Sequence, residues 1–251
     1  MPTYLAAMTP ALRILAGLAA ALSLSACQKA DDAVFGQKVR AYLMAHPEVI
    51  REAAVKLNEN DRLAAMKAST DAIGKYRGQL ERDTRDFVAN PDGKITVVEF
   101  FDYRCGYCKL AAPEVVKLVA ENPDVRFVFK EFPIFGEVSD TAAKVALTRE
   151  GKAKGFDLYK ALMADKALDD AALDRHLAEV GIDVAAAHKD ADHPLIARQL
   201  LDTHALAEAL KIEGTPAFIV GNTMIPGADM AALRAAIAAA RGGTGPAKTS
   251  S

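Results

Sequence analysis

Cys105 and Cys108 bracket Gly106 and Tyr107, directly after the apolar run Val97-Val98-Glu99-Phe100-Phe101 and directly before a stretch with helical spacing. Two thiols at i and i+3 on a first helical turn share a face, so their sulfurs can close a small disulfide or open that of another chain. The first cysteine would sit among unpaired backbone N–H groups at the positive end of the helix dipole, where a thiolate is favoured. The second lies a turn deeper and is followed by Leu110, Ala111 and Ala112. That pattern makes Cys105 the nucleophile and Cys108 the shielded thiol that resolves a mixed disulfide.

The pair has two other conceivable uses. A closed structural zinc site needs four ligands; Cys27 is far upstream, and His188, His193 and His204 stand in a stretch that reads as solvated helix and turn. A purely structural disulfide closing so small a loop removes little entropy from the unfolded chain. Redox transfer is the stronger reading.

The elements that position the pair follow from periodicity. Asn90-Pro91-Asp92-Gly93 is a turn, and Lys94 to Phe101 reads as a strand. A helix runs from the cysteines to about Ala120, with Pro113 inside it to kink it, and Val125 to Lys130 is a second strand. Strand, helix and strand make a parallel βαβ unit. Helical text follows over Ser139 to Arg149, Phe156 to Met163, Asp170 to Val180 and Pro194 to Leu210. Pro216 to Val220, Gly221-Asn222 and Thr223 to Ile225 read as a hairpin, with Asp229 capping a last helix to about Arg241. The fold class is therefore α/β, with a helical subdomain inserted at about 138–211 of a domain spanning 87–241. Residues 242–251 read as a disordered tail.

The chain has 251 residues, 51% of them hydrophobic, enough to bury a core in one or two domains. A net charge of −2 from 31 basic and 33 acidic residues gives no field that would attract nucleic acid. Met1 to Ala30 carries no acidic residue, and Ile14 to Leu24 is a short apolar run ending in small residues. This reads as an export signal over residues 1–26, the run being short for a bilayer span. Leu24-Ser25-Ala26-Cys27 looks like a bacterial lipobox, which would lipidate Cys27; a plain cleaved signal is the alternative. From 27 to 86, apolar residues recur at three- and four-residue spacing, among them Val39, Tyr42, Leu43, Ile50, Leu57, Met66, Ile73 and Leu80. The segment is an amphipathic helical arm, expected either to pack on its own domain or to oligomerise.

The run Val-Val-Glu-Phe-Phe-Asp-Tyr-Arg-Cys-Gly-Tyr-Cys-Lys, together with Gly-Thr-Pro-Ala-Phe-Ile-Val, resembles the thioredoxin fold and, within it, the DsbA-like exported thiol-disulfide oxidoreductases. The arm, with Val-Arg-Ala-Tyr-Leu-Met-Ala-His-Pro-Glu-Val-Ile, is similar to the amino-terminal extension of the ScsC-type and Com1-like branch. The resemblance implies an exposed nucleophile at Cys105, a resolving thiol at Cys108 and a cis-proline at Pro216 facing them. The Thr215 backbone would then pair with an extended substrate strand. The chain itself adds only that X-Pro bonds are where cis peptides occur and that Gly214 frees the approach.

Glu99 lies on the strand face of Val97 and Phe101, and the resemblance implies there a buried acid that exchanges protons with the inner thiol; burial would raise its pKa. An exposed edge-strand glutamate is the alternative, and Asp102 and Lys109 read as surface charges flanking the motif. Gly106-Tyr107 tunes the site: it lacks the histidine found between the cysteines of the most oxidising relatives, so the site is expected to be less oxidising. The resulting expectation is a periplasmic, homo-oligomeric (trimer or dimer) disulfide isomerase or reductase, without cofactor or resident metal. It would be kept reduced by a membrane electron donor of the DsbD/ScsB type. A DsbA-like oxidase and a copper-stress protein whose thiolates bind Cu(I) are the alternatives.

Overall fold

Along Ile95–Phe101 (β2) nearly every side chain is covered, on both faces, as a central strand requires. Val97, Glu99 and Phe101 face one layer, and Val98 and Phe100 face the other. The structure, a computed structural model, describes residues 34–243. The export signal, Cys27 and the tail beyond 243 lie outside the described residues. The chain divides into two compact units, Met1–Ala64 and Ala65–Ser251.

Helix α1 covers 34–45 and α2 (Glu48–Glu81) begins after His46-Pro47; α1 and the part of α2 up to Ala64 belong to the first unit, the rest of α2 to the second. Proline stands just ahead of the helix, where a missing N–H costs no helical bond. Phe35, Tyr42, Met44, Ile50 and Leu57 are exposed in the first unit.

The second unit is built on one five-stranded sheet of order β1-β3-β2-β4-β5, with β1 at Phe87–Ala89, β3 at Val125–Glu131, β4 at Ala217–Val220 and β5 at Thr223–Pro226. β2 and β3 are parallel; the other pairings are antiparallel. The parallel pair is joined through α3 (Gly106–Glu121), giving the βαβ unit. Pro113 lies inside α3, which remains continuous.

Between β3 and β4 come α4 (Glu137–Ala146), α5 (Arg149–Ala153), α6 (Gly155–Ala164), α7 (Asp170–Glu179), α8 (Val184–Ala191) and α9 (Pro194–Ala209); α10 (Met230–Arg241) closes the domain. α8 and β1 carry no clear periodic signal. Each is short, and β1 exists because β3 offers it an antiparallel partner.

One layer packs Val97, Phe101, Phe127, Val115 and Tyr159 together; the other joins Val98, Phe100 and Ile219 to Leu206 of α9 and to Leu210, its C-cap. Ile73 and Leu80, at 0% and 1% exposure, belong to that second core. The last turns of α2 are thus core elements of the sheet domain, whereas the arm was drawn to residue 86. Gly155 must be glycine for packing: a Cβ there would meet the Phe87 ring at 2.4 Å.

Candidate active site

β2 ends at Phe101, and the chain turns through Asp102, Tyr103 and Arg104 into Cys105, the N-cap of α3. The turn is fixed by the Asp102 carbonyl, which accepts the Cys105 N–H at 3.1 Å. As cap, Cys105 accepts the Cys108 N–H on Sγ at 3.4 Å. On its other side the Cys105 thiol donates to the Thr215 carbonyl at 3.2 Å. Thr215-Pro216 is a cis peptide and leads straight into β4, which pairs with β2. The sheet thereby brings residues 110 positions apart into one site.

Cys105 and Cys108 are free thiols. Hydrogen bonding from the Cys108 thiol first, and from the Cys108 and Tyr107 amides, outweighs burial and pulls the Cys105 pKa down to about 5. Burial first, and Cys105 and Glu99 after it, push the Cys108 thiol far up. One thiol is ready as a thiolate; the other holds its proton until a base takes it.

The resemblance implied an exposed Cys105, but the residue is covered to 2% exposure. The Thr215 carbonyl lies against its sulfur, so any group that reaches the sulfur from that side must displace that contact. Tyr107 and Leu110 are the exposed residues of this turn, at 67% and 73%.

Glu99 is 1% exposed, between Phe129 of β3 and Phe218 of β4 in register. Both carboxyl oxygens accept from Tyr159 Oη at 3.2 Å. Burial raises its pKa to about 8 against that hydrogen bond.

Asp102 is no surface charge: at 1% exposure, Oδ1 accepts the Arg104 N–H at 2.6 Å and the Ser139 hydroxyl at 2.8 Å, and Oδ2 accepts the Ile134 and Phe135 N–H groups at 2.7 and 3.0 Å. The i to i+2 bond is an Asx turn, the one local signal that could have flagged it. Lys109 likewise leans inward, donating to the Leu162 carbonyl at 3.0 Å, and burial lowers its pKa. Tyr159, Tyr103 and Glu131 were not singled out, since nothing local links α6 or the end of β3 to the cysteines.

Residues 96–238 match the DSBA-like thioredoxin domain family, and residues 31–64 match the copper resistance protein ScsC N-terminal domain. Among solved structures, BcfH of Salmonella enterica Typhimurium is 32% identical, with 88% of this chain and 98% of that one covered at a TM-score of 0.68. A linker-deletion mutant of Proteus mirabilis ScsC is 25% identical over 96% of this chain and 100% of that one, TM-score 0.65. The thiol-disulfide exchange protein alpha-DsbA2 of Wolbachia pipientis is 27% identical over 70% and 97%, TM-score 0.64. Among curated relatives, the Na(+)/H(+) antiporter NhaA 3 of Salinispora tropica is 28% identical over 193 residues, 74% of this chain. The chain spans only 29% of that relative's length, and among the described residues no helix is long and apolar enough to cross a membrane.

Proposed function

The chain belongs to the DSBA-like thioredoxin domain family and is a thiol-disulfide oxidoreductase of the DsbA/ScsC type; from that premise we propose that it is a periplasmic disulfide isomerase and reductase of exported proteins. What supports thiol exchange here is the placement of Cys105 as N-cap of α3, accepting the Cys108 N–H on Sγ and lying against the cis Thr215-Pro216 segment, with its pKa drawn down to about 5 while burial pushes Cys108 up.

The Cys105 thiolate attacks one sulfur of a client disulfide, forming a Cys105–client bond and releasing the other client sulfur as a thiolate. If that thiolate, or another in the client, attacks back on a client sulfur, the client is reshuffled and Cys105 regenerated. If Cys108 instead gives its proton to Glu99 and attacks Cys105 Sγ, the client leaves reduced and a Cys105–Cys108 disulfide remains. Returning that disulfide to the dithiol needs two electrons and two protons, the task of a membrane electron donor of the DsbD/ScsB type. Thr215 and Pro216 flank the sulfur and offer backbone to an extended client segment.

The exposed apolar residues of the first unit support homo-oligomerisation, as trimer or dimer, and several sites around one client raise the effective thiol concentration. The leader supports export, and Cys27 is the candidate lipidation site. A second reading, net oxidation of clients, draws on the same Cys105 pKa. Its value near 5 lies between the roughly 7 of thioredoxin and the roughly 3.5 of DsbA, and a stabilised thiolate makes the disulfide the oxidant. Refolding of a scrambled-disulfide substrate separates the two: rescue that is lost in Cys105→Ser supports isomerisation. Brisk oxidation of a reduced peptide without rescue would transfer the assignment to the oxidase.

A further inference from the structure

A second buried carboxyl lies in the same layer as Glu99. Glu131 ends β3 opposite Phe101, two residues after Phe129, which faces Glu99; the period of two puts both acids on one face. Tyr103 Oη donates to Glu131 Oε1 at 2.9 Å, while Oε2 is buried and has no partner in the protein. A buried carboxyl oxygen left open in this way demands an explanation.

Beside these groups is a cavity of about 10 Å³, walled by Glu131, Tyr103 and Tyr159 together with the rings of Phe87, Phe101 and Phe129. That is room for one water molecule, and three polar side chains are enough to hold one. Tyr159 is also the residue that donates to Glu99. Glu131 stands at the end of β3 and is 7% exposed as a whole residue, against 1% for Glu99 within β2. Burial lifts the Glu131 carboxyl well above its ordinary range, and Asp102 and Glu99 lift it further, as expected of two acids that titrate together.

We propose that Glu131 is the outer station of a proton path serving Cys108, running from Glu99 through Tyr159 and the cavity to Glu131, with Tyr103 holding Glu131 in place. The inference rests on the exchange reading above. Before the step Glu99 is a carboxylate, and Glu131 frees its Oε2 by giving any proton it holds to solvent. When Cys108 attacks Cys105 Sγ in a mixed disulfide, its proton passes to the Glu99 carboxylate and the client sulfur leaves as a thiolate. Glu99 hands a proton to the Tyr159 oxygen as Tyr159 releases its own through the cavity to Glu131 Oε2. The electron pair moves only between sulfurs, and Glu131 afterwards returns the proton to solvent. Glu131 touches no reacting atom and is a positioning residue acting through Glu99.

The test is stopped-flow reaction of the reduced full-length protein with Ellman's reagent. The first chromophoric thiolate is released by Cys105 and the second by the attack of Cys108. Across pH 5 to 9, Glu131→Gln should leave the first phase within about twofold, slow the second about tenfold at pH 7 and displace its pH midpoint. Tyr103→Phe should act in the same sense, and Glu131→Gln added to Glu99→Gln should slow the reaction no further. A second phase with the wild-type rate and midpoint in Glu131→Gln overturns the path. So does equal slowing of both phases with an unmoved midpoint, which marks a purely structural role. Absence of any fast first phase in the wild type overturns the exchange reading itself.

Discussion

Asp102 Oδ2 accepts the backbone N–H of Ile134 at 2.7 Å, tying the turn before the cysteines to the loop that follows β3. The same carboxylate takes three further donors, from Arg104, Phe135 and Ser139. A buried donor stripped of its acceptor costs about 1–3 kcal/mol; the Ser139 hydroxyl is buried and the three backbone donors are partly so. Asp102→Ala should therefore lower stability by about 3 kcal/mol or more, and Asp102→Asn, which keeps one acceptor oxygen, by less. Urea unfolding of the reduced protein measures both, and a loss below about 1 kcal/mol in the alanine variant would contradict the anchoring role.

The Cys105 titration has a definite sign. Its folded pKa of about 5 lies below the ordinary value of 9, so ionisation stabilises the fold fully above pH 9 and that stability is lost as pH falls through 5. Reduced protein should gain stability between pH 5 and 9 relative to Cys105→Ala. Its ultraviolet thiolate absorbance should rise with a midpoint near 5. In Cys108→Ala, which removes the first cause of the shift, the midpoint should move upward; an unchanged midpoint refutes that attribution.

Tyr159 supplies the hydrogen bond that opposes burial at Glu99. A hydrogen bond to a charged group contributes about 1.5–3 kcal/mol, which is roughly one to two pKa units. In Tyr159→Phe the Glu99 titration should move from about 8 to higher pH by about one unit, followed by carboxyl carbon NMR. A downward move would mean that the hydroxyl stabilises the neutral acid instead.

Sheet, cysteine turn and Glu99 were legible because each is written in local sequence: a strand of β-branched and aromatic residues, two thiols at helical spacing, an acid on the inward parity of β2. What surrounds them was not. Tyr159 reaches Glu99 across 60 positions, and Glu131 meets Tyr103 across 28, both through strand order and helix packing that periodicity does not encode. Asp102 differs for the opposite reason: a charged residue in a turn is usually solvated, and three of its four donors, Ile134, Phe135 and Ser139, come from 32 or more positions away.

Lys130 and Asp86 form an ion pair at 2.5 Å with both side chains 2% exposed, and Lys130 also donates to the Gln79 carbonyl at 2.6 Å. Burial raises Asp86 to about 6 despite the lysine, so its contribution is fully present below 3.8 and is lost as pH rises through 6. Removing the cation strands the carboxylate. Lys130→Met should cost about 3–5 kcal/mol. The loss should be larger at pH 8 than at pH 5, where the orphaned acid can take a proton. Equal losses at the two pH values would argue that Asp86 is neutral throughout.

The position of α2 decides how the arm should be tested. Ile73 and Leu80 are core residues of the sheet domain, so a truncation near Asp86 would open the second core and report unfolding rather than loss of assembly. A chain beginning at Ala65 respects the compact unit. Light scattering should give a multiple of the chain mass for the full-length protein and a single chain for the shortened one. Phe35→Asp with Ile50→Asp, which places charges on the exposed apolar residues of the arm, should dissociate the full-length protein while leaving its melting temperature within a few degrees. Thiol exchange at Cys105 should survive all of these changes, whereas scrambled-substrate refolding should fall, since only the latter draws on several sites at once. A single-chain mass for the unaltered protein sinks the oligomer and leaves the exchange chemistry standing.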